Sequence, residues 1–241
     1  MAVAKVQVDG GQAYANHLSV AFDASVTAGN LLVACVCLHM VIPVLADLTD
    51  SRGNTWTLES EKHVSSPGVS IYSCIAKDSG ACTITFNDAS ETADQYIAMA
   101  IGEFSGVNQT DDNITSATGT GTDVHHGNVA AVTAGLYIGV CGQTNTDTAC
   151  TPDVGWDGTI YDNDMGSDYP AICANYELSS AATYNYGWTY ADSQTWCAIG
   201  ITFPAAAGGS AIKTTQGLAQ ASVKTIQGLA LSSVKTLQGL Q

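Results

Sequence analysis

Chemistry in this 241-residue chain would have to come from eight cysteines, five histidines and one cluster of aspartates. The cysteines stand at positions 35, 37, 74, 82, 141, 150, 173 and 197. None forms a Cys-x-x-Cys pair answered by a second pair or a histidine, which argues against a structural zinc site. Cys35 and Cys37 are two apart in an apolar run, so on a strand they share a face and pack as small hydrophobes, the reading adopted for most of the eight. Cys74 and Cys82 differ, because they flank Lys77-Asp-Ser-Gly80, three residues before its start and two after its end. If that phrase is a hairpin turn the two thiols face each other, and Cys74–Cys82 is a candidate disulfide, although bridging directly paired strands strains the bond. Such a bond fits a protein exposed to an oxidising environment.

The densest carboxylate cluster is Tyr161-Asp-Asn-Asp-Met-Gly-Ser-Asp168. Asp162, Asp164 and Asp168 make it a candidate calcium turn, but it lacks the bidentate Glu of a complete loop and equally describes a solvated acidic turn. Calcium is the one cofactor the residues suggest; none other is expected. His125 and His126 lie near Asp123, yet neighbours on a strand point to opposite faces, so the pair reads as exposed loop histidines and not as a metal site. No Gly-x-Ser-x-Gly elbow, His-Glu-x-x-His helix or phosphate loop is present, and no nucleophile has an evident base. The chain is therefore expected not to be an enzyme. A glycosidase-type carboxylate pair depends on the fold for its separation. Tyr161, Tyr169, Tyr184, Tyr186, Trp188 and Tyr190 either line a glycan-binding surface or form cross-strand pairs in a sheet.

The elements that must position these residues are strands. Thr, Val, Ile, Tyr and Gly dominate, and short alternating or apolar runs separated by turn residues fall at 30–38, 54–59, 69–76, 82–87 and 96–104. A second series occupies 136–141, 171–178, 183–189 and 195–203. The two series match in order. Val26-Thr-Ala-Gly-Asn-Leu-Leu-Val-Ala-Cys35 resembles Val132-Thr-Ala-Gly-Leu-Tyr-Ile-Gly-Val-Cys141, Trp56 has a counterpart in Trp156, and Gln95–Phe104 resembles Gln194–Phe203. The expected fold is all-β: a duplicated antiparallel β-sandwich or jelly-roll body, either two lobes or one interleaved sandwich. The first unit spans 1–106, the second 107–204, a small-residue Ala-Gly-Ser linker 205–210, and repeats 211–241.

The phrases Thr-Ala-Gly-Asn-Leu-Leu-Val, Asp-Ser-Arg-Gly-Asn-Thr-Trp-Thr-Leu and Gly-Glu-Phe-Ser-Gly-Val resemble a broad class of bacterial and bacteriophage β-sandwich proteins. In that class a duplicated β domain is often followed by repeats similar to Ser-x-Lys-x-x-Asn-Gly-Leu. The resemblance implies a virion surface component or extracellular appendage without catalysis. Here Gln216, Gln227 and Gln238 stand where Asn usually precedes Gly.

Three near-copies close the chain, starting at Ile212, Val223 and Val234, 11 residues apart. A unit this short cannot bury its apolar side alone, so it needs a partner surface. The expected assembly interface is Ile212, Leu218, Val223, Ile226, Leu229, Val234, Leu237 and Leu240. An 11-residue period suits a right-handed helical stripe, but the recurring Gly and the β-branched residues favour stacked strand-and-turn units. All 22 acidic residues precede the repeats, which hold three of the seven basic ones. So acidic a body argues against nucleic acid as a partner, and no apolar run is long enough for membrane insertion. The first residues read as a strand and not as a signal peptide, which leads to expected synthesis in a cytoplasm and residence on a virion or extracellular assembly. Expected partners are copies of the chain or neighbouring virion or filament subunits. The expected role is a decoration, fibre or coat component, with a carbohydrate-binding adhesin as the alternative and glycan as its partner.

Overall fold

The computed structural model describes residues 2–39, 46–64, 66–88, 95–111, 113–131, 133–143, 150–162 and 171–206, together with 225–226 and 229–230. Every regular element among them is a strand. The first half runs β1 (Ala4–Ala15), β2 (His17–Ala21), β3 (Leu31–Leu38), β4 (Ala46–Asp50), β5 (Thr57–His63), β6 (Gly68–Ile75), β7 (Thr83–Asp88) and β8 (Gln95–Ser105). The second runs β9 (Asn113–His125), β10 (Val129–Ala131), β11 (Gly135–Gln143), β12 (Cys150–Pro152), β13 (Gly158–Asp162), β14 (Ala171–Ser179), β15 (Ala182–Tyr184) and β16 (Gly187–Pro204).

The duplication is visible in the topology. The first large sheet has the antiparallel order β1-β8-β3-β6-β5; in the second, β9 and β11 flank β16, followed by β14 and β13. Each large sheet carries a smaller one on its outer face: β2-β7-β4 in the first half and β10-β15 in the second, where β12 joins the outer part of β16. The inner faces of the two large sheets meet in a shared core. Leu31, Val33, Cys35, Ile71 and Phe104 come from one side and Leu136, Ile138, Val140, Ile199 and Phe203 from the other. The body is thus two sandwiches stacked back to back.

This stacking explains why β3 and β11 read as unbroken apolar runs. Both strands are buried along their whole length, because alternate residues enter different cores. Leu32, Ala34, Val36 and Leu38 point away from the shared core, toward Leu18, Val20, Ile84 and Phe86 of the outer sheet. Each fully buried side chain of this size contributes about 1.5–3 kcal/mol, so the central strands hold the layers together. Gly142 of β11 is required by close approach: a Cβ there would collide with Cys37 Sγ and lie 2.6 Å from Val69 Cγ1, across the shared core.

Two sequence readings change. Leu31 pairs with Phe104 and Leu136 with Phe203, so Leu31 and Leu136 are equivalent. Asn30 is then an extra residue in the first copy, and Cys35 corresponds to Val140, not to Cys141. One residue of slip turns a side chain to the opposite face: Cys35 lies in the shared core and Cys141 in the outer one. The run at 183–189 is divided between the end of β15 and the start of β16, and β16 then continues through 195–203 with a register irregularity between Thr189 and Gln194. That irregularity lets a single strand serve the outer layer first and the large sheet next.

The chain stays attached to the body through Ala205 N to Ala134 O (2.8 Å) and Ala206 N to Gly106 O (2.8 Å). Met1–Ala206 and Ala207–Gln241 are separate units.

Candidate functional site

Of the expected interface residues in the repeats, Ile212, Leu218, Val223, Val234, Leu237 and Leu240 lie outside the described residues. Within the second repeat, β17 (Thr225–Ile226) and β18 (Leu229–Ala230) pair antiparallel, with Ile226 opposite Leu229.

The candidate calcium turn is described only at Asp162, the exposed last residue of β13; Asp164 and Asp168 lie outside the described residues. Among the described residues no group of three His, Cys, Asp or Glu has an arrangement that could hold a metal ion. Cys74 and Cys82 are free and buried. The hairpin premise behind their pairing does not hold: Cys74 sits on β6 in the large sheet, whereas Cys82 precedes β7 in the outer sheet. Lys77-Asp-Ser-Gly80 therefore turns a corner between layers. The buried-thiol reading does hold, since all eight cysteines are free and buried. Loss of hydration pushes the Cys35 thiol up to about 12, which keeps it protonated at neutral pH.

The two adjacent histidines separate as their strand position requires. His125 closes β9 with Nε2 3.0 Å from Asp123 Oδ1 and Nδ1 3.1 Å from the Asn185 carbonyl. His126 is not an exposed loop residue but is 1 % exposed, wedged against Trp188 and Tyr137. Its Nδ1 lies 3.0 Å from Thr115 Oγ1 and its Nε2 hydrogen bonds with the Tyr137 hydroxyl. A hydroxyl beside an imidazole is what nucleophilic catalysis uses, but burial lowers this histidine to about 4 and its other nitrogen is occupied. It is a poor base at neutral pH.

The aromatic residues proposed for glycan contact are mostly interior. Trp188, Tyr190 and Tyr184 are buried, and Tyr161 is half-buried against the shared core. Trp156 stacks on Trp188 (centroids 5.5 Å) and on Tyr137 (4.6 Å), and Tyr137 stacks in turn on Tyr184 (5.0 Å). They form the outer core of the second half. Tyr169 lies outside the described residues.

A polar cleft of ≈ 290 Å³ opens beside β5, lined by Thr57, Glu59, Gln109, Thr110 and Asp111. Glu59 accepts a hydrogen bond from Ser73 Oγ, and Gln109 Nε2 donates to Thr57 Oγ1 (3.1 Å) and the Ser73 carbonyl (3.2 Å). Partial burial raises the Glu59 pKa, the Ser73 bond opposes that, and Asp111 adds to the rise. The cleft offers hydrogen bonds to small polar molecules.

Glu103 was read only as part of a strand phrase, and it is fully buried. Its carboxyl group accepts from Gln7 Nε2 (2.6 Å), Thr27 N (2.8 Å) and Asn30 Nδ2 (2.6 Å), tying β8 to β1 and to the entry of β3. Thr202 is its equivalent in the second half, where it accepts from Asn113 N at 3.2 Å. Asp50 likewise explains the phrase Asp-Ser-Arg-Gly-Asn-Thr-Trp: it accepts from Arg52 N (2.6 Å) and from Trp56 Nε1 (2.6 Å), closing the turn after β4. These polar groups organise the fold.

No family model, curated protein or solved structure matches the chain.

Proposed function

We propose that this chain is a non-enzymatic structural subunit of a virus particle or extracellular filament, a decoration, fibre or coat component that joins its neighbours through the C-terminal repeats. The observation that carries the reading is the triplicated phrase with its 11-residue spacing and recurrent apolar positions. A unit of that length encloses no core, so copies must supply cover for one another or take it from a neighbouring subunit. Support also comes from the body, where His126, Glu103 and the cysteines serve packing and hydrogen bonding. The resemblance of phrases such as Gly-Glu-Phe-Ser-Gly-Val to bacterial and bacteriophage β-sandwich proteins favours the same setting. The adhesin alternative loses its best candidate, because Trp188 lies in the interior and a glycan would need an exposed ring.

The test is substitution of the equivalent leucine in every repeat, Leu218→Asp, Leu229→Asp and Leu240→Asp, in the full chain. Sedimentation velocity should show the assembled species replaced by a monomer. An unchanged distribution would refute a role for the repeats.

A further inference from the structure

The outer core of the second half gathers three thiols that the proposed function does not use. Cys141 comes from β11, Cys173 is its direct partner on β14, and Cys150 arrives on β12, a three-residue strand bonded only to β16. The Cys141 and Cys150 sulfurs are 3.6 Å apart. The Cys173 thiol is turned to Asn175 Oδ1 at 3.3 Å, and that oxygen is held in turn by Trp188 Nε1 at 2.8 Å. The Tyr190 hydroxyl donates to Cys141 Sγ at 3.2 Å.

We propose that Cys141 and Cys150 are an oxidation site that closes to an intramolecular disulfide, with a low-molecular-weight disulfide such as oxidised glutathione as oxidant. A disulfide needs sulfurs about 2.05 Å apart, and the short strand β12 is the element that moves to bring them together. Cys173 is the poorer partner for Cys141, since its thiol is engaged with Asn175 Oδ1.

The step balances as two exchanges. Cys150, at 8 % exposed against 0 % for Cys141, loses a proton to solvent and attacks the glutathione disulfide; one glutathione leaves and a mixed disulfide remains. The step is slow because burial and the neighbouring thiols raise the Cys150 pKa and keep its thiolate fraction small. Cys141 then loses its proton and attacks Cys150 Sγ, releasing the second glutathione. Two protein thiols are oxidised and one small disulfide is reduced to two thiols. Burial opposes charge on Cys141; at the second exchange Cys150 carries no proton, and the donor that faces the attacking Cys141 sulfur is the Tyr190 hydroxyl at 3.2 Å.

The experiment incubates the full chain with oxidised glutathione, alkylates the remaining thiols and maps the peptides without reduction. The expected product is about 2 Da lighter before alkylation, contains a peptide linking Cys141 to Cys150, and leaves Cys173 alkylated. Cys173→Ala should still give this link and Cys150→Ala should abolish it. Closing so short a loop should raise the Tm by about 5 °C. Eight alkylatable cysteines after exposure, or a link from Cys141 to Cys173, would overturn the proposal. Circular dichroism on each variant distinguishes loss of the link from loss of the fold.

Discussion

Glu103 takes a carboxyl group into the first half with three donors waiting for it. Removing the acceptor leaves those donors buried without a partner, at about 1–3 kcal/mol for each one not rescued by water. Glu103→Ala should therefore destabilise the protein by about 3 kcal/mol or more, read from urea unfolding, and Glu103→Gln by less because one acceptor oxygen remains. A loss of under about 0.5 kcal/mol for the alanine variant, the range of an ordinary surface change, would contradict the assigned role. His126 makes a pH-dependent contribution. Its pKa is about 4 in the folded chain against about 6.5 unfolded, so below 6.5 the unfolded state binds the extra proton. Stability from this residue is present above pH 6.5 and is lost as pH falls toward 4, by about 3 kcal/mol in total. His126→Gln should flatten that part of the stability–pH curve; an equal slope in both proteins would refute the assignment.

At the scale of elements, the contact between the halves depends on side chains that leave room for one another. Gly142→Ala would push a methyl group into Cys37 and Val69 on the facing sheet, and overpacking of this kind costs about 1–3 kcal/mol. Thermal unfolding should show the loss, and a neutral result would mean the two sheets are farther apart than described. The strands themselves are legible: β3 and β11 stand out as apolar runs, and phrases repeated in the same order about 100 residues apart reveal the duplication. The faces were less legible. A single extra residue, Asn30, reverses which side of β11 matches β3, and phrase similarity is blind to that. The alternation of Tyr184, Tyr186, Trp188 and Tyr190 has the spacing of one strand face, but Tyr184 lies on β15 and Trp188 and Tyr190 on β16, and what covers them includes Trp156 and, from β11, Tyr137 and Cys141, remote in sequence. The 77–80 phrase has the composition of a hairpin turn, yet only the assembled layers determine whether the chain returns to the same sheet or crosses to another. Glu103 gave no signal at all, since its donors come from residues 7, 27 and 30.

The whole molecule consists of a stacked double sandwich, rich in carboxylates, followed by three lysine-bearing repeats free of acidic residues. The body has its own cores and hydrogen-bonded end at Ala206, so it should keep its β circular dichroism spectrum when residues 207–241 are removed. The repeats, in contrast, have too little chain per unit to form a core without partners. The decisive measurement of assembly through the repeats is light scattering on the full chain and on a chain ending at Ala206. The full chain should be a defined oligomer and the shortened one a folded monomer; the same oligomeric mass for both would contradict assembly through the repeats.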